Sequence, residues 1–566
     1  MDEKKRFTIL RETLDFHKAM EWLRHDAADD HFQDPIRYSD LAEHAEKYLE
    51  RTKHKRFNHF ELSAPVFQAP KPRYFLRDII HLPPVHRLLY LALLAHLLPK
   101  VDPKLPQEVY SYRLDSSEDE SSYPFRHRAE RWKDFMNDFR RSALQDGAQA
   151  VLITDIASYY DHISTQRLDE VLRAVLGGSI GEDDDACLSL LKELLDSWTQ
   201  DGFGMPINYD PSSFFSSVYL TPVDRQMVAS RFTYLRWADD IRVVASSQAQ
   251  AIRALHQLQS SLRTLGLFLS TAKTRIIEKG TDAFDEIMDV ADEVKLSEIS
   301  GAISSGDRSS IEPKVDVALE RARFHAGPTG DDRKFRAFSN QLTKASKFPG
   351  LRARIWPAIK ELVLPRLHTH PERSDWWVKL LSQDVDAGIQ ERVHHCLTTP
   401  GQNIFDWQRM YLWELLIRAR GDIKVELLEH AKAVSVSLNC DAVAARATIL
   451  RGQRGDGIDR DALFAELYQR NRSDLIKRAV LIAIQEMEPG RRDRLYAAAL
   501  KMDPNQSELV DWLRERDAPV YTLYQWQERE FATEARKRTE ISRRGIGTID
   551  RQVVRFTLTR LDYDYE

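Results

Sequence analysis

Hydrophobic and polar positions divide the chain into two parts with different periodicities. In the first part, short apolar runs rich in β-branched and aromatic residues, such as residues 151–153 and 241–245, predict buried strands. After about residue 300 these runs stop, and apolar residues recur at three- and four-residue spacing, as in Trp407, Met410 and Tyr411. The pattern therefore predicts an α+β part followed by an all-α part made of short amphipathic helices.

Two of the predicted strands lead into carboxylates. Residues 151–153 run directly towards Asp155, which places that side chain where a strand leaves the core. Farther along, residues 232–235 and 241–245 flank Asp239 and Asp240, which predicts a β-hairpin with both aspartates at its tip. Because neighbouring residues of an extended chain point to opposite faces, we expect Asp239 to be the main metal ligand of this pair.

Acidic side chains in these positions suit a two-metal reaction. Transfer of a nucleotidyl group by two metal ions needs acidic oxygens that converge on cations roughly 3.5–4 Å apart. Hard oxygen ligands favour Mg²⁺, with Mn²⁺ as the alternative. Taken alone, however, an Asp-Asp pair is more often a solvated turn, and a strand-end aspartate is more often a cap.

The order of the motifs favours the catalytic interpretation. Asp155 is followed by Gly204-Met-Pro206 with Ser212 eight residues after the glycine, then by Asp239-Asp240, then by Leu265-Gly-Leu with Lys273. This series resembles the reverse transcriptase family, whose usual motifs are Asp-Ile-x-x-Phe-Phe-Asp, Gly-x-Pro-Gln-Gly-x-x-x-Ser, Tyr-Ala-Asp-Asp and Leu-Gly-Leu with a later Lys-Thr. The resemblance implies a right-hand polymerase with fingers and a palm.

The resemblance also implies roles for individual residues. Asp155, Asp239 and Asp240 correspond to the catalytic metal ligands, with the backbone carbonyl of Ile156 as a further ligand. Tyr160 corresponds to a steric gate that favours dNTP over rNTP. Lys273 corresponds to the residue that neutralises or protonates the departing pyrophosphate, with a surface lysine as the alternative. Further substrate-binding positions would be Pro206, Ser212 and Trp237.

Two positions depart from the family pattern. Trp237 stands where the family usually has tyrosine, and its ring is expected to pack against the primer end. After Pro206 the family's Gln-Gly is replaced by Ile207-Asn208. The missing glutamine normally helps to seat the incoming nucleotide against the template, so ordinary template-guided copying is in doubt while the metal chemistry is not.

Three upstream arginines are candidates for a triphosphate clamp. Arg77, Arg87 and Arg113 lie in segments similar to the family's fingers, where arginine binds phosphate oxygens in bidentate fashion. Surface or helix-capping arginines are the alternative for each.

Composition limits the remaining possibilities. A length of 566 residues predicts two or three domains. The chain has no run of 18 apolar residues and no apolar N-terminal leader, and its three cysteines have no disulfide or zinc spacing, so we expect a cytoplasmic protein without a membrane span. The net charge of −5 means that a nucleic-acid channel would depend on local basic clusters such as Arg131-Trp-Lys133.

We predict four regions. Residues 1–148 would form N-terminal helices and fingers, 149–290 the palm, 291–530 an α-helical, HEAT-like repeat domain, and 531–566 a C-terminal tail of mixed basic and acidic residues.

A polymerase followed directly by a helical domain resembles the bacterial Abi and "unknown group" reverse transcriptases. That resemblance implies abortive-infection defence against phage, a homotrimer or homohexamer, and DNA synthesis without a conventional template, in some members primed on a protein tyrosine so that the DNA stays covalently attached. One alternative is a template-copying reverse transcriptase that uses a non-coding partner RNA. Another is a helical scaffold with a vestigial polymerase fold.

Overall fold

The structure is a computed structural model of the chain. It describes residues 3–52, 64–115 and 123–523, except for 179, 329, 349, 438 and 469–472, so the predicted tail at 531–566 lies outside the described residues. Backbone contacts divide the chain into two compact units. The first comprises Met1–Asp30, Ala45–Phe67 and Ile79–Asp289, and the second comprises His31–His44, Gln68–Asp78 and Val290–Glu566. Two N-terminal segments that we grouped with residues 1–148 thus belong to the second unit.

The N-terminal part of the chain consists of helices and one hairpin. In chain order the elements are α1 (Glu3–Thr13), α2 (Phe16–Asp26), α3 (Ser39–Glu43), α4 (Ala45–Thr52), β1 (Val66–Pro70), β2 (Leu76–Ile80), α5 (Pro84–Val101) and α6 (Arg128–Leu144). Helix α5 is apolar on nearly every side because it lies inside the first unit, where residues 88–94 are all buried.

A four-stranded sheet forms the centre of the first unit. Its strands and the helices around them are β3 (Ala150–Asp155), α7 (Thr165–Leu176), α8 (Glu182–Trp198), α9 (Asp210–Tyr219), α10 (Thr221–Ala229), β4 (Thr233–Trp237), β5 (Asp240–Ala245), α11 (Gln248–Thr264), β6 (Arg275–Glu278) and α12 (Asp282–Met288). The strand order is β4-β5-β3-β6, and the pairs within it are antiparallel.

Both faces of this sheet are covered, which explains its continuous apolar runs. Val151 and Val244 pair across β3 and β5 and pack with Phe135 and Phe139 of α6. Leu152 belongs to the opposite face and is fully buried as well, because α11 packs against β3, β5 and β6. A strand buried on both faces has no polar alternation, as the sequence predicted for residues 151–153.

Between residues 291 and 523 the described part of the second unit is helical, which confirms the all-α prediction for that part of the chain. Its helices are α13 (Ala291–Ser305), α14 (Arg308–His325), α15 (Asp332–Ala345), α16 (Arg352–Val363), α17 (Arg366–Thr369), α18 (Ser374–Leu381), α19 (Ala387–Thr398), α20 (Asp406–Ile417), α21 (Val425–Ser435), α22 (Asp441–Arg454), α23 (Gly457–Leu463), α24 (Asp474–Ala483), α25 (Pro489–Met502) and α26 (Ser507–Arg514). Most pack on helices one or two places away in the chain, as α20 does on α18 and α22. A HEAT-like repeat stays a prediction.

Buried ion pairs tie residues 31–44 to these helices. The guanidinium of Arg478 on α24 binds Asp34 at 2.7 Å and Asp40 at 2.8 Å, and all three side chains are buried. Among the described residues, none of the helices combines the length and apolar character needed to cross a membrane.

Candidate active site

The three predicted carboxylates come together at one end of the central sheet. Asp155 ends β3 and lies directly opposite Asp240, the first residue of β5, so both side chains start from the same face. Asp239 precedes Asp240 in the turn between β4 and β5. The carboxyl groups of Asp155, Asp239 and Asp240 lie close enough to act electrostatically on one another.

Crowding of these groups changes their acidity. Burial, and then the negative charges of Asp155 and Asp240, raise the pKa of Asp239 to about 7. Burial also raises the pKa of Asp155, an effect to which Asp240 adds and which Lys273 opposes. Burial is the larger cause and repulsion among the half-buried carboxylates adds to it, so a divalent cation between them would be stabilising.

The donor set fits a hard divalent ion. Every candidate ligand is a carboxylate or backbone carbonyl oxygen, the type that Mg²⁺ and Mn²⁺ prefer. Oδ1 of Asp240 is buried and accepts no hydrogen bond from the described residues, although Nε of Arg242 lies 3.5 Å away. A metal ion at this oxygen would therefore displace no hydrogen bond from these residues and would compete only with the ion pair to Arg242.

A second cluster of ligand atoms lies elsewhere in the first unit. His96, Asp183 and Asp184 offer three such atoms within 4.8 Å of one another. Lys100 is part of the same cluster, since its Nζ lies 2.5 Å from Asp184 and 3.3 Å from Asp183. The ammonium group contacts both acids and so lies where a metal ion would bind, and we interpret the cluster as an ion-pair network that joins α5 to α8.

Lys273 lies beside the carboxylates, as its position in the motif order predicted. Its Nζ donates a hydrogen bond to Oδ2 of Asp155 at 2.8 Å, while 66% of its side chain is exposed. A flexible cation at this place can reach both the metal ligands and solvent. Its role towards pyrophosphate stays a prediction.

Tyr160 and Ile156 follow Asp155 on the same segment. The half-buried Tyr160 accepts a hydrogen bond from Ser216 at 3.4 Å, and burial together with the neighbouring Tyr112 raises the pKa of its hydroxyl. Asp239 also acts on this hydroxyl, which places Tyr160 at the site.

The backbone on either side of Ile156 is tied to residues 268–270, because Ala157 donates to the Phe268 carbonyl and the Asp155 carbonyl accepts from Ser270. Those bonds do not use the Ile156 carbonyl, whose role as a ligand stays a prediction.

Arg87 and Arg113 bind acidic side chains of the protein itself. Arg87 is fully buried, and its guanidinium binds Asp26 and, at 2.6 and 2.7 Å, both oxygens of Asp30. Arg113 binds the side chain of Asp102 at 2.7 Å and nearby backbone carbonyls. This geometry does not favour either as a triphosphate ligand, because the donors that a phosphate would need are engaged. Arg77 lies on β2, within the second unit.

Trp237, Ser212 and Pro206 are also buried. The Trp237 ring is 5% exposed and packs edge-on against Trp132, with ring centroids 5.3 Å apart. It therefore faces the α6 side of the core, which does not favour the predicted contact with a primer. The Ser212 hydroxyl lies inside α9, 3.0 Å from that of Tyr90. Pro206 follows Gly204, whose φ of +105° suits glycine.

Sequence reasoning missed two residues that hold the Asp239-Asp240 turn. Arg236 is fully buried on β4 and donates to the carbonyl of Ala238 at 2.9 Å, and the hydroxyl of Ser111 accepts from the Ala238 amide at 2.9 Å. The one available signal was a charged residue inside the apolar run 234–237, because a buried arginine needs a partner. Nothing in the sequence pointed to Ser111.

Comparison with known proteins agrees with the assignment of these motifs. Residues 93–296 match the family model described as "Reverse transcriptase (RNA-dependent DNA polymerase)". No curated protein matches the chain.

Two solved structures show weak similarity. Telomerase from Candida albicans in complex with a fragment of telomeric RNA is 11% identical with a TM-score of 0.30, over 66% of this chain and 68% of that one. Apo telomerase from Candida tropicalis is 12% identical with a TM-score of 0.29, over 84% and 74% of the two chains. Similarity at this level carries no argument, and the assignment depends on the family match and the carboxylates. The chain is therefore an RNA-directed DNA polymerase-like enzyme that carries a reverse transcriptase domain at residues 93–296.

Proposed function

We propose that this protein is a metal-dependent DNA polymerase that adds dNMP units to a primer hydroxyl. The observation that carries the proposal is the meeting of Asp155 and Asp239, with Asp240 opposite Asp155, within the matched domain. Three buried or half-buried carboxylates repel one another, which is unfavourable unless a cation is bound between them.

The reaction forms one bond and breaks one. The primer oxygen bonds to the α-phosphorus of the dNTP, the bond between the α-phosphorus and the bridging oxygen breaks, and the hydroxyl proton leaves to solvent. Bound Mg²⁺ would neutralise the phosphate charge. Of the protein's own groups, the three aspartates would hold the ion, Tyr160 would limit space beneath the sugar, and Lys273 would donate to the leaving pyrophosphate.

The finer proposal is an Abi-type enzyme of anti-phage defence. It would act in the cytoplasm as a homotrimer or homohexamer and make DNA without a conventional template, primed on a tyrosine. Its support is the replacement of the family's Gln-Gly by Ile207-Asn208 and the helical unit that follows the polymerase domain.

A second candidate is a template-copying enzyme that works on a partner RNA. The specific observation in its favour is the family description, which names RNA-dependent synthesis. It shares the metal site with the first candidate and differs in what selects the incoming base.

Purified full-length protein distinguishes these candidates. We expect Mg²⁺-dependent incorporation of labelled dNTP that needs no added RNA, and a product that resists phenol extraction until protease is added. Incorporation that follows the sequence of an added RNA would instead support the second candidate. No incorporation under any condition would contradict both.

A pair of aspartate substitutions separates catalysis from folding. Asp239→Asn should abolish incorporation, whereas Asp282→Asn, which changes an exposed carboxylate at the start of α12, should not. If phage defence persisted in Asp239→Asn, the protein would act as a scaffold.

A further inference from the structure

The turn that carries Asp239 and Asp240 has an unfavourable backbone conformation. Ala238, the residue before the two aspartates, has a φ of +50°. Residues with a Cβ rarely adopt this left-handed region, because the Cβ approaches the following carbonyl oxygen. Something in the surrounding structure must therefore hold Ala238 in place.

Both backbone polar groups of Ala238 are anchored by side chains. Its amide donates to Oγ of Ser111 at 2.9 Å, and its carbonyl accepts from Nη1 of Arg236 at 2.9 Å. Both side chains are fully buried while Ala238 is half-buried, so water reaches these hydrogen bonds only from the Ala238 side.

Each anchor is itself rigidly held. Arg236 binds the two oxygens of the buried Asp224 at 2.7 and 2.6 Å and donates to the carbonyl of Ser217 at 3.0 Å. Ser111 follows a segment that lies along β4, where Tyr110 donates to the Arg236 carbonyl at 3.0 Å and Arg236 donates to the Glu108 carbonyl at 2.9 Å. The two anchors are thus connected to each other through the backbone of β4.

We propose that Ser111 and Arg236 form a turn clamp, which holds Ala238 and thereby positions Asp239 and Asp240 against Asp155. Both are positioning residues, and the proposal rests on the proposed polymerase function. Without the clamp the backbone at Ala238 would relax towards negative φ, which would move the attached carboxylates away from Asp155. A displacement near 1 Å in a catalytic group can cost roughly 100-fold in rate.

Ser111→Ala tests the clamp with the smallest change. Replacing Arg236 would leave Asp224 buried without its partner, so a loss of activity in that variant could come from misfolding as well as from displaced aspartates. We expect Ser111→Ala to lower kcat roughly 10-fold while the KM for dNTP stays within about twofold. We also expect the dissociation constant for Mn²⁺, measured by electron paramagnetic resonance without dNTP, to rise roughly fivefold.

A second substitution separates positioning from stability. Ala238→Gly makes the left-handed φ easy to adopt, so adding it to Ser111→Ala should restore most of the lost kcat and Mn²⁺ affinity. Ser374→Ala is the matched control, because it removes a buried hydroxyl that donates to the Pro371 carbonyl in the second unit.

Two results would overturn the clamp. One is that the Mn²⁺ dissociation constants of Ser111→Ala and Ser374→Ala are equal. The other is a loss of kcat and Mn²⁺ affinity in Ser111→Ala that the added Ala238→Gly substitution does not restore. If the parent protein incorporated no dNTP, the proposed function would be wrong. The Mn²⁺ measurement would still test whether Ser111 positions the aspartates.

Discussion

At the scale of single residues, Tyr160 is where substrate choice is most directly testable. Its ring follows Asp155 by five positions, and its hydroxyl lies 3.4 Å from Ser216 and near Asp239. Because the bulk of the ring would exclude a 2′-hydroxyl, Tyr160→Ala should lower the dNTP-over-rNTP preference in kcat/KM at least roughly 10-fold. Tyr160→Phe keeps the ring and should keep the preference. Equal selectivity in both variants would mean that another group is the gate.

Arg87 provides the corresponding test between a structural and a substrate-binding arginine. Its replacement by methionine would leave Asp26 and Asp30 buried without a counter-charge, and we expect a loss of roughly 3–5 kcal/mol in the free energy of unfolding. Urea denaturation of Arg87→Met measures this loss. The control is Arg141→Ala, which breaks an exposed pair with Asp138 and should cost less than about 1 kcal/mol. A stable Arg87→Met with a raised KM for dNTP would restore the triphosphate role.

At the scale of elements, one carboxylate joins three helices of the second unit. Asp292 on α13 binds Arg321 and His325 of α14 at 2.8 and 3.0 Å, and Lys334 of α15 at 3.1 Å. Although burial raises the pKa of Asp292, hydrogen bonds from Arg321, Lys334 and His325 hold it well below its usual range.

A depressed pKa gives this contact a defined pH dependence. The stabilisation is fully present above the ordinary aspartate pKa near 4 and is lost as the pH falls towards the lower folded pKa, because the unfolded carboxylate takes up a proton there while the folded one stays ionised. We expect Asp292→Asn to lower the free energy of unfolding by roughly 1.5–3 kcal/mol at pH 7, and the difference from the parent to narrow between pH 4 and pH 2. Urea denaturation of both proteins at several pH values measures this difference in the free energy of unfolding.

Glu298→Gln is the control for that experiment. It breaks an exposed ion pair with Lys314 between α13 and α14, so it should change stability little at any pH. If the difference in the free energy of unfolding between Asp292→Asn and the parent stayed constant down to pH 2, the depressed pKa assigned to Asp292 would be wrong.

At the scale of the whole molecule, the N-terminal 44 residues supply charges that both units need. Asp26 and Asp30 neutralise Arg87 in the first unit, and Asp34 and Asp40 neutralise Arg478 in the second. Deleting residues 1–44 leaves two buried guanidinium groups unpaired, so we expect the shortened chain to lose cooperative thermal unfolding. Asp34→Ala with Asp40→Ala, at full length, should lower the midpoint of the second unit alone. Cooperative unfolding of the shortened chain at the parental midpoint would refute this account.

The position of the catalytic carboxylates could be predicted because strand signals are local. A short apolar run that ends in Asp155, and a hairpin pattern around Asp239 and Asp240, need no knowledge of the rest of the fold. The prediction that Asp239 rather than Asp240 is the main ligand stays a prediction. Alternation along an extended chain suggested that one of them would dominate, but the turn at Ala238 breaks the alternation, and the two aspartates both act on Asp155.

The amino-acid sequence by itself determined where the carboxylates follow strands, the two-sided burial of β3 and the change from strands to helices, which we predicted after about residue 300. Each of these depends on residues that are neighbours in the chain. Only the tertiary structure decided what the arginines do. Arg87, Arg236 and Arg478 look alike in sequence, yet each is buried against aspartates that lie 12 to 444 positions away. An ion pair requires only that two side chains meet in space, and sequence separation carries no information about that.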